Sequence, residues 1–141
     1  MERFDQLELS NIQNLAQKLV ELLSQYPCLA LNGDLGTGKT TLTMAILQAL
    51  GIERPEGSPT FSIIQPYLLP DGKTLYHIDA YRIKNAEEAF QLGLEELFTE
   101  NAYFVVEWPE IISNFLPEVR MKLTIEYSKS NHRNYTLEYG H

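Results

Sequence analysis

Residues 33 to 40 read Gly33-Asp34-Leu35-Gly36-Thr37-Gly38-Lys39-Thr40, which fits the pattern G-x-x-x-x-G-K-[ST] at every fixed position. This stretch constrains the fold more than any other, because the pattern works only between a strand and a helix. Its glycines let the backbone curl until a row of N–H groups faces one point, a cradle for phosphate oxygens. Lys39 then brings a point charge to the β- and γ-phosphates, and the Thr40 hydroxyl is placed to ligate magnesium. The first turn of the following helix adds unsatisfied N–H groups and a positive dipole end.

The flanks meet the requirement. Pro27 precedes Cys28-Leu29-Ala30-Leu31, a short apolar run of the kind that forms a buried parallel strand. From Thr41 to Leu50 apolar residues recur at helical spacing, and Gly51 ends the run as a C-terminal glycine does. Strand, loop and helix follow in the required order.

The rest of the chain reads as further alternation of helices and strands. Ser10 and Gln13 resemble a capping box before a helix whose stripe is Ile12, Leu15, Ala16, Leu19, Leu22 and Leu23, ending near Gln25. Residues 52–59 form a loop rich in proline and glycine. Residues 61–67 and 74–78 read as two strands around the turn signal Pro70-Asp71-Gly72. Asn85 and Glu88 suggest a second capping box, on a helix that Gly93 interrupts. Ala102-Tyr103-Phe104-Val105-Val106 is another buried strand, and Pro109 opens a short helix reaching about Phe115. Leu123, Ile125 and Tyr127, then Tyr135, Leu137 and Tyr139, alternate on either side of a polar turn. The expected fold is α/β: a single phosphate-loop NTPase domain over residues 1–141. Its sheet is mixed and mostly parallel, flanked by helices, with a C-terminal antiparallel hairpin.

Composition excludes several classes. A net charge of −8 argues against broad nucleic-acid binding, which needs basic patches. No apolar run reaches the length of a membrane span, and Met1-Glu2-Arg3-Phe4-Asp5 is no signal peptide. One cysteine cannot form an internal disulfide, so a reducing, cytoplasmic setting is expected. Charge is also uneven: residues 85–119 hold eight Glu and no Lys or Arg, whereas residues 120–133 hold four basic residues against one Glu. Such an acidic segment suits either a docking surface or a solvated helix face.

A phosphate cradle needs an acidic residue near the metal, usually at the end of a neighbouring strand. Two positions qualify. Leu75-Tyr76-His77-Ile78 ends in Asp79, and Tyr103-Phe104-Val105-Val106 ends in Glu107. Both would lie on the rim where open α/β sheets bind ligands. Thr60, in Ser58-Pro59-Thr60, follows the loop helix where nucleotide switches place a γ-phosphate sensor. Trp108, next to Glu107, either borders the nucleotide or plugs the core. His77 reads as a satisfied core or rim histidine, and Arg82 as a phosphate contact or a partner for a nearby Glu. No N-K-x-D segment exists to read guanine, so ATP is favoured over GTP. Arginines are few and unclustered, which weakens a small-metabolite kinase but keeps it as the alternative enzyme class. A nucleotide-dependent binding module that hydrolyses nothing is the non-enzyme alternative.

Four blocks occur in order: residues 33–41, Ser58-Pro59-Thr60-Phe61, His77-Ile78-Asp79-Ala80-Tyr81-Arg82 and Glu107-Trp108-Pro109-Glu110. In this combination the chain resembles the TsaE (YjeE) family of small ATPases in bacterial tRNA threonylcarbamoyladenosine synthesis. The resemblance implies a phosphate-loop α/β fold that binds ATP or ADP with Mg2+ and hydrolyses ATP weakly alone. It implies partners like TsaB and TsaD, the latter modifying adenosine 37 of tRNAs that read codons beginning with A, so that tRNA is met only through the complex. It implies that the loop residues Gly33, Asp34, Leu35, Gly36, Thr37, Gly38, Lys39, Thr40 and Thr41 hold the nucleotide, with Thr60 and Trp108. Thr40 and Glu107 would then hold magnesium, and Asp79 would hold it too or position water. Ser58 to Phe61 and Glu107-Trp108 would respond to the nucleotide as switches.

Overall fold

The computed structural model describes residues 2–8, 11–34, 36–55, 63–128 and 132–140, with backbone alone for 2–8 and 140. The strands are β1 (Glu2–Glu8), β2 (Cys28–Asn32), β3 (Ile64–Leu68), β4 (Thr74–Asp79), β5 (Tyr103–Glu107), β6 (Arg120–Tyr127) and β7 (His132–Gly140). The helices are α1 (Ile12–Leu23), α2 (Lys39–Ala49), α3 (Ala86–Gln91) and α4 (Leu94–Leu97), with 3₁₀ segments at Ala80–Arg82 and Pro109–Phe115.

All seven strands join one sheet in the order β1-β7-β6-β2-β5-β4-β3. The central four, β6, β2, β5 and β4, are mutually parallel. Antiparallel pairs extend both edges: β3 on β4, β7 on β6 and β1 on β7. The expected mixed sheet with a terminal hairpin is therefore present, and β1 runs in the same direction as the central four. Among the described residues no helix is long and apolar enough to cross a membrane.

Burial explains why β2 and β5 read as unbroken apolar runs. Leu29, Leu31 and Val105 face α1 and α2, packing with Leu15, Leu19, Leu42, Ile46 and Leu47. Cys28, Phe104 and Val106 face the other way, toward α3, α4 and the 3₁₀ segment, where Ala89, Leu94 and Ile112 meet them. A strand covered on both faces has no polar side to show. Each fully buried Leu or Ile contributes roughly 1.5–3 kcal/mol, so helices on both faces lock the central strands.

Local signals work as expected at several ends. Gly51 (φ 104°) follows α2, and Gly93 (φ 80°) separates α3 from α4. Asn85 accepts from the Glu88 amide at 2.9 Å. The reciprocal bond differs from a full capping box, because Glu88 reaches the Lys84 amide instead, at 3.4 Å. Pro66 sits in edge strand β3, where its missing N–H breaks no ladder.

Two expectations need correction or fall outside view. Ser10 lies outside the described residues; α1 is preceded by Asn11, which makes no side-chain cap bond. β1 was not expected at all. Its pairing with β7 shifts register between Phe4 and Leu7, so the two apolar residues are three apart and the period-2 signal is lost.

Candidate functional site

Parallel strands bring their C-terminal ends to one rim, and three of them deliver chemistry there. β2 runs into the glycine loop, β4 ends at Asp79 and β5 ends at Glu107. Asp79 pairs across the ladder with Glu107, and Glu107 with Leu31. Alternation sets the direction of the side chains: Leu75 and Val105 face α2, so His77, Asp79 and Glu107, in phase with them, face it as well.

The loop depends on glycine at two points in particular. Gly38, the residue before α2, adopts φ 104°, a conformation that costs other residues about 1–2 kcal/mol. At Gly33, a Cβ would lie 2.7 Å from Thr37 Oγ1 and 3.0 Å from the Ile125 carbonyl oxygen. Inside the loop the Thr37 amide and hydroxyl both donate to the Asp34 carbonyl, at 3.2 and 2.8 Å. From behind, Tyr127 Oη donates to the Gly36 carbonyl at 2.6 Å, and Arg133 Nε to the Thr37 carbonyl at 3.2 Å. Tyr127 and Arg133 face each other across the β6–β7 ladder, in phase with the buried Leu123 and Leu137.

In front of the loop lies a cavity of about 410 Å³ bordered by Lys39, Thr40, Asp79, Tyr81, Glu107 and Trp108, with loop glycines. Glu107 is only 3% exposed. Thr40 Oγ1 donates to its two carboxylate oxygens, at 3.3 and 3.5 Å. On its other side, His77 Nε2 lies 2.5 Å from Glu107 Oε2. His77 is fully buried at 0% exposure, and its Nδ1 has no partner among the described residues. An imidazole with no acceptor at Nδ1 is cheapest with its proton on Nε2, donating to the carboxylate.

Lys39 Nζ donates to the carbonyls of Gly33 and Asp34 and lies 3.8 Å from the centroid of the Trp108 ring. Burial lowers its pKa below the ordinary lysine value, opposed by Glu107, Glu110, Asp34 and Asp79. Asp79 accepts from the Tyr81 amide at 3.1 Å. Burial raises the Asp79 pKa above the usual carboxylate range; the Tyr81 N–H opposes this, and the Glu107 charge adds to it. Trp108 has φ 57°, the one positive φ outside glycine among the described residues. Its ring leans on Tyr81, with centroids 5.0 Å apart.

The structure thus gathers Gly36, Gly38, Lys39, Thr40, Thr41, Asp79, Glu107 and Trp108 around one cavity. Gly33, Asp34 and Thr37 shape the loop behind it. Leu35, Thr60 and the whole Ser58–Phe61 block lie outside the described residues. Arg82 is exposed and does not border the cavity. Sequence reasoning missed Tyr81, Tyr127 and Arg133, and it gave His77 no link to Glu107. Alternation with Asp79 was the available signal for His77; for Tyr127 and Arg133 there was none near the loop.

Residues 7–135 match the family described as Threonylcarbamoyl adenosine biosynthesis protein TsaE. A tRNA threonylcarbamoyladenosine biosynthesis protein TsaE from Bacillus subtilis is 41% identical over 112 residues, covering 77% of this chain and 67% of its own length. One from Rickettsia bellii is 37% identical over 130 residues, covering 90% and 89%. One from Haemophilus influenzae is 39% identical over 97 residues, and the match spans 69% of this chain but only 61% of that protein. The crystal structure of Bacillus subtilis YdiB superposes with a TM-score of 0.77 at 30% identity, covering 99% of this chain and 86% of that one. With its glycine loop facing two strand-end carboxylates and the family match running from β1 into β7, the chain belongs to the TsaE family.

Proposed function

We propose that this protein is an ATP-binding ATPase, slow alone and accelerated by partners, that serves tRNA threonylcarbamoyladenosine biosynthesis. The pathway follows from family membership. The observation that carries the nucleotide chemistry is the closure of the phosphate loop on the acidic rim, with Thr40 Oγ1 3.3 Å from Glu107.

In this reading the loop amides and Lys39 bind the β- and γ-phosphates. Lys39 reaches them by leaving the Gly33 and Asp34 carbonyls and the Trp108 ring. Thr40, Glu107 and Asp79 supply a hydroxyl and two carboxylates, the all-oxygen set that suits Mg2+ shared with phosphate oxygens. The metal, when bound, would neutralise charge on the transferring phosphate. Glu107 is the carboxylate in reach of Thr40. Asp79, fixed by the Tyr81 amide and raised in pKa by burial, is the better placed to orient a water or accept its proton.

Slow turnover alone follows from the lining. Among the described residues no arginine borders the cavity, and an arginine supplied by a partner is worth orders of magnitude in rate. The partners are proteins like TsaB and TsaD, tRNA is met through them, and the setting is cytoplasmic. The test compares ATP turnover of the isolated chain with that of the reconstituted complex, using Lys39→Ala and Asp79→Ala as controls. Fast turnover by the isolated chain refutes partner activation. Transfer of labelled γ-phosphate to a metabolite, in place of free phosphate, assigns a kinase instead.

A further inference from the structure

On the sheet face away from α1 and α2, the helical cover stops partway across. Met121, Leu123 and Ile125 of β6 pack into the α1–α2 core, so Arg120, Lys122, Thr124 and Glu126 point to the other face. There α3, α4 and the 3₁₀ segment Pro109–Phe115 cover β2, β4 and β5, and among the described residues none from β6 or β7 joins their core. Where the cover ends, a cavity of about 200 Å³ opens between β2, β6 and the 3₁₀ segment. Asn32, Ser113, Arg120 and Lys122 border it, with Ala30 and Leu116 as its apolar side.

One wall of this cavity is cationic. Arg120 and Lys122 alternate in phase along one strand, so both reach the same face. The Arg120 Nη1 donates to the Pro117 carbonyl at 2.8 Å, which holds the half-buried guanidinium in place. Lys122 is exposed, and among the described residues it has neither ion pair nor hydrogen bond; nor do the side chains of Asn32 and Ser113. Sites for whole small molecules run to about 300–1,000 Å³, so 200 Å³ takes a single side chain. Two cations, an amide and a hydroxyl beside an apolar wall suit a carboxylate on a short methylene stem. A phosphate backbone suits it less. Glu110 borders the same cavity, Glu138 stands opposite Lys122, and Glu126 follows on the same strand face, so a continuous polyanion meets repulsion on every side.

The cavity also touches the chain on both flanks of Lys39. Asn32 precedes Gly33, whose carbonyl accepts from Lys39. Pro109 and Glu110, both at the cavity, follow Trp108, whose ring lies against Lys39. A side chain seated here therefore presses on the two segments that hold Lys39.

We propose that this cavity is a docking site for a partner protein, receiving an Asp or Glu side chain of that partner between Arg120 and Lys122. The proposal rests on the partner-activated reading above and adds where the partner acts. Fluorescence anisotropy of the dye-labelled chain measures binding to the reconstituted partners, and ATP turnover is read in the same samples. Lys122→Gln removes the unpaired cation, Lys122→Arg restores one, and Ser113→Tyr fills the cavity from its exposed rim. Lys122→Gln and Ser113→Tyr should each weaken binding by about tenfold or more, and Lys122→Arg by less than about threefold. Turnover of the isolated chain should move less than about twofold in all three, because none of these residues borders the nucleotide cavity. In the parent complex, a carbodiimide, which joins a carboxylate to a touching amine as an amide while taking up the water released, should link Lys122 to an Asp or Glu of a partner. Undiminished binding by both Lys122→Gln and Ser113→Tyr overturns the docking site. So does a loss of tRNA binding by isolated Lys122→Gln, which assigns the wall to phosphates instead. Partners that bind the parent without raising its turnover end partner activation, and the variant affinities still decide the docking site. Partners that do not bind the parent end both.

Discussion

Replacing His77 by Leu removes the donor from a buried carboxylate and leaves the rest of the core nearly full. In the parent, His77 Nε2 lies 2.5 Å from Glu107 Oε2, with exposures of 0% and 4% for the two side chains. Among the described residues Glu107 would keep only the Thr40 hydroxyl, at 3.3 and 3.5 Å, which is long for an O–H donor. A hydrogen bond to a charged group contributes about 1.5–3 kcal/mol, and an abandoned buried acceptor costs its desolvation as well. An opposing effect exists, because Leu also removes the unpartnered Nδ1 and its own desolvation cost of about 1–3 kcal/mol. The single variant is thus an ambiguous measurement, whereas a double-mutant cycle is not. The Nδ1 effect is present in both arms that lose His77 and cancels in the difference. Urea unfolding of the parent, His77→Leu, Glu107→Gln and the double variant should give a coupling of about 1–2 kcal/mol. At this chain length that corresponds to roughly 3–8 °C in the melting midpoint. If the two singles add to the double within about 0.5 kcal/mol, the contact contributes nothing. In turnover assays His77→Leu should raise the Mg2+ concentration needed for half-maximal rate, because Glu107 loses the group that aims it at Thr40.

Gly38→Ala should lower stability by about 1–2 kcal/mol, since φ is 104° and the added Cβ meets nothing within 4 Å; an unchanged urea midpoint refutes that strain. Burial makes ionised Asp79 costly in the folded state. Below its ordinary value of about 3.9 the carboxyl is protonated folded or unfolded, and as pH rises through that value toward the raised one stability falls and stays lower. Asp79→Asn, which keeps an oxygen for the Tyr81 amide, should therefore melt above the parent at pH 7 and level with it at the lowest pH; equal midpoints at pH 7 overturn the assignment. Trp108 emission should change when Mg-ADP draws Lys39 from its ring, now 3.8 Å away, and constant emission at saturation rules that movement out. Burial pushes the Cys28 thiol up to about 12, so a thiol reagent should label it only at the rate of unfolding; rapid labelling of native protein would contradict its burial.

Much of this site was legible because its parts are contiguous or periodic. The loop is eight consecutive residues, and its strand and helix flank it directly. Asp79 and Glu107 were found because each ends an apolar run, and alternation then aims both at the face α2 covers. The same alternation carried His77, which shares the phase of Leu75 and Asp79. Its partner was hidden, however, because it depends on the register that sets His77 beside Val105, two residues before Glu107. β1 was hidden for a different reason: its register shift erased the only pattern by which a short edge strand announces itself.

Tyr127 and Arg133 are the harder case. They stand 91 and 96 residues from the carbonyls they hold, so no local pattern near the loop points to them. A general requirement does. When a loop turns its amides toward a ligand, its carbonyls turn outward, where donors from elsewhere in the chain, here the exposed Tyr127 and the half-buried Arg133, hold them. In this fold the strand beside β2 on the side away from Glu107 is β6, so the donors come from the β6–β7 hairpin. Its inward phase is Met121, Leu123, Ile125 and then Tyr127, opposite Arg133: apolar where it meets the helices, hydrogen-bonding where it passes the loop. That change of chemistry along one face is visible in the sequence once the sheet order is known. It makes the hairpin part of the candidate site.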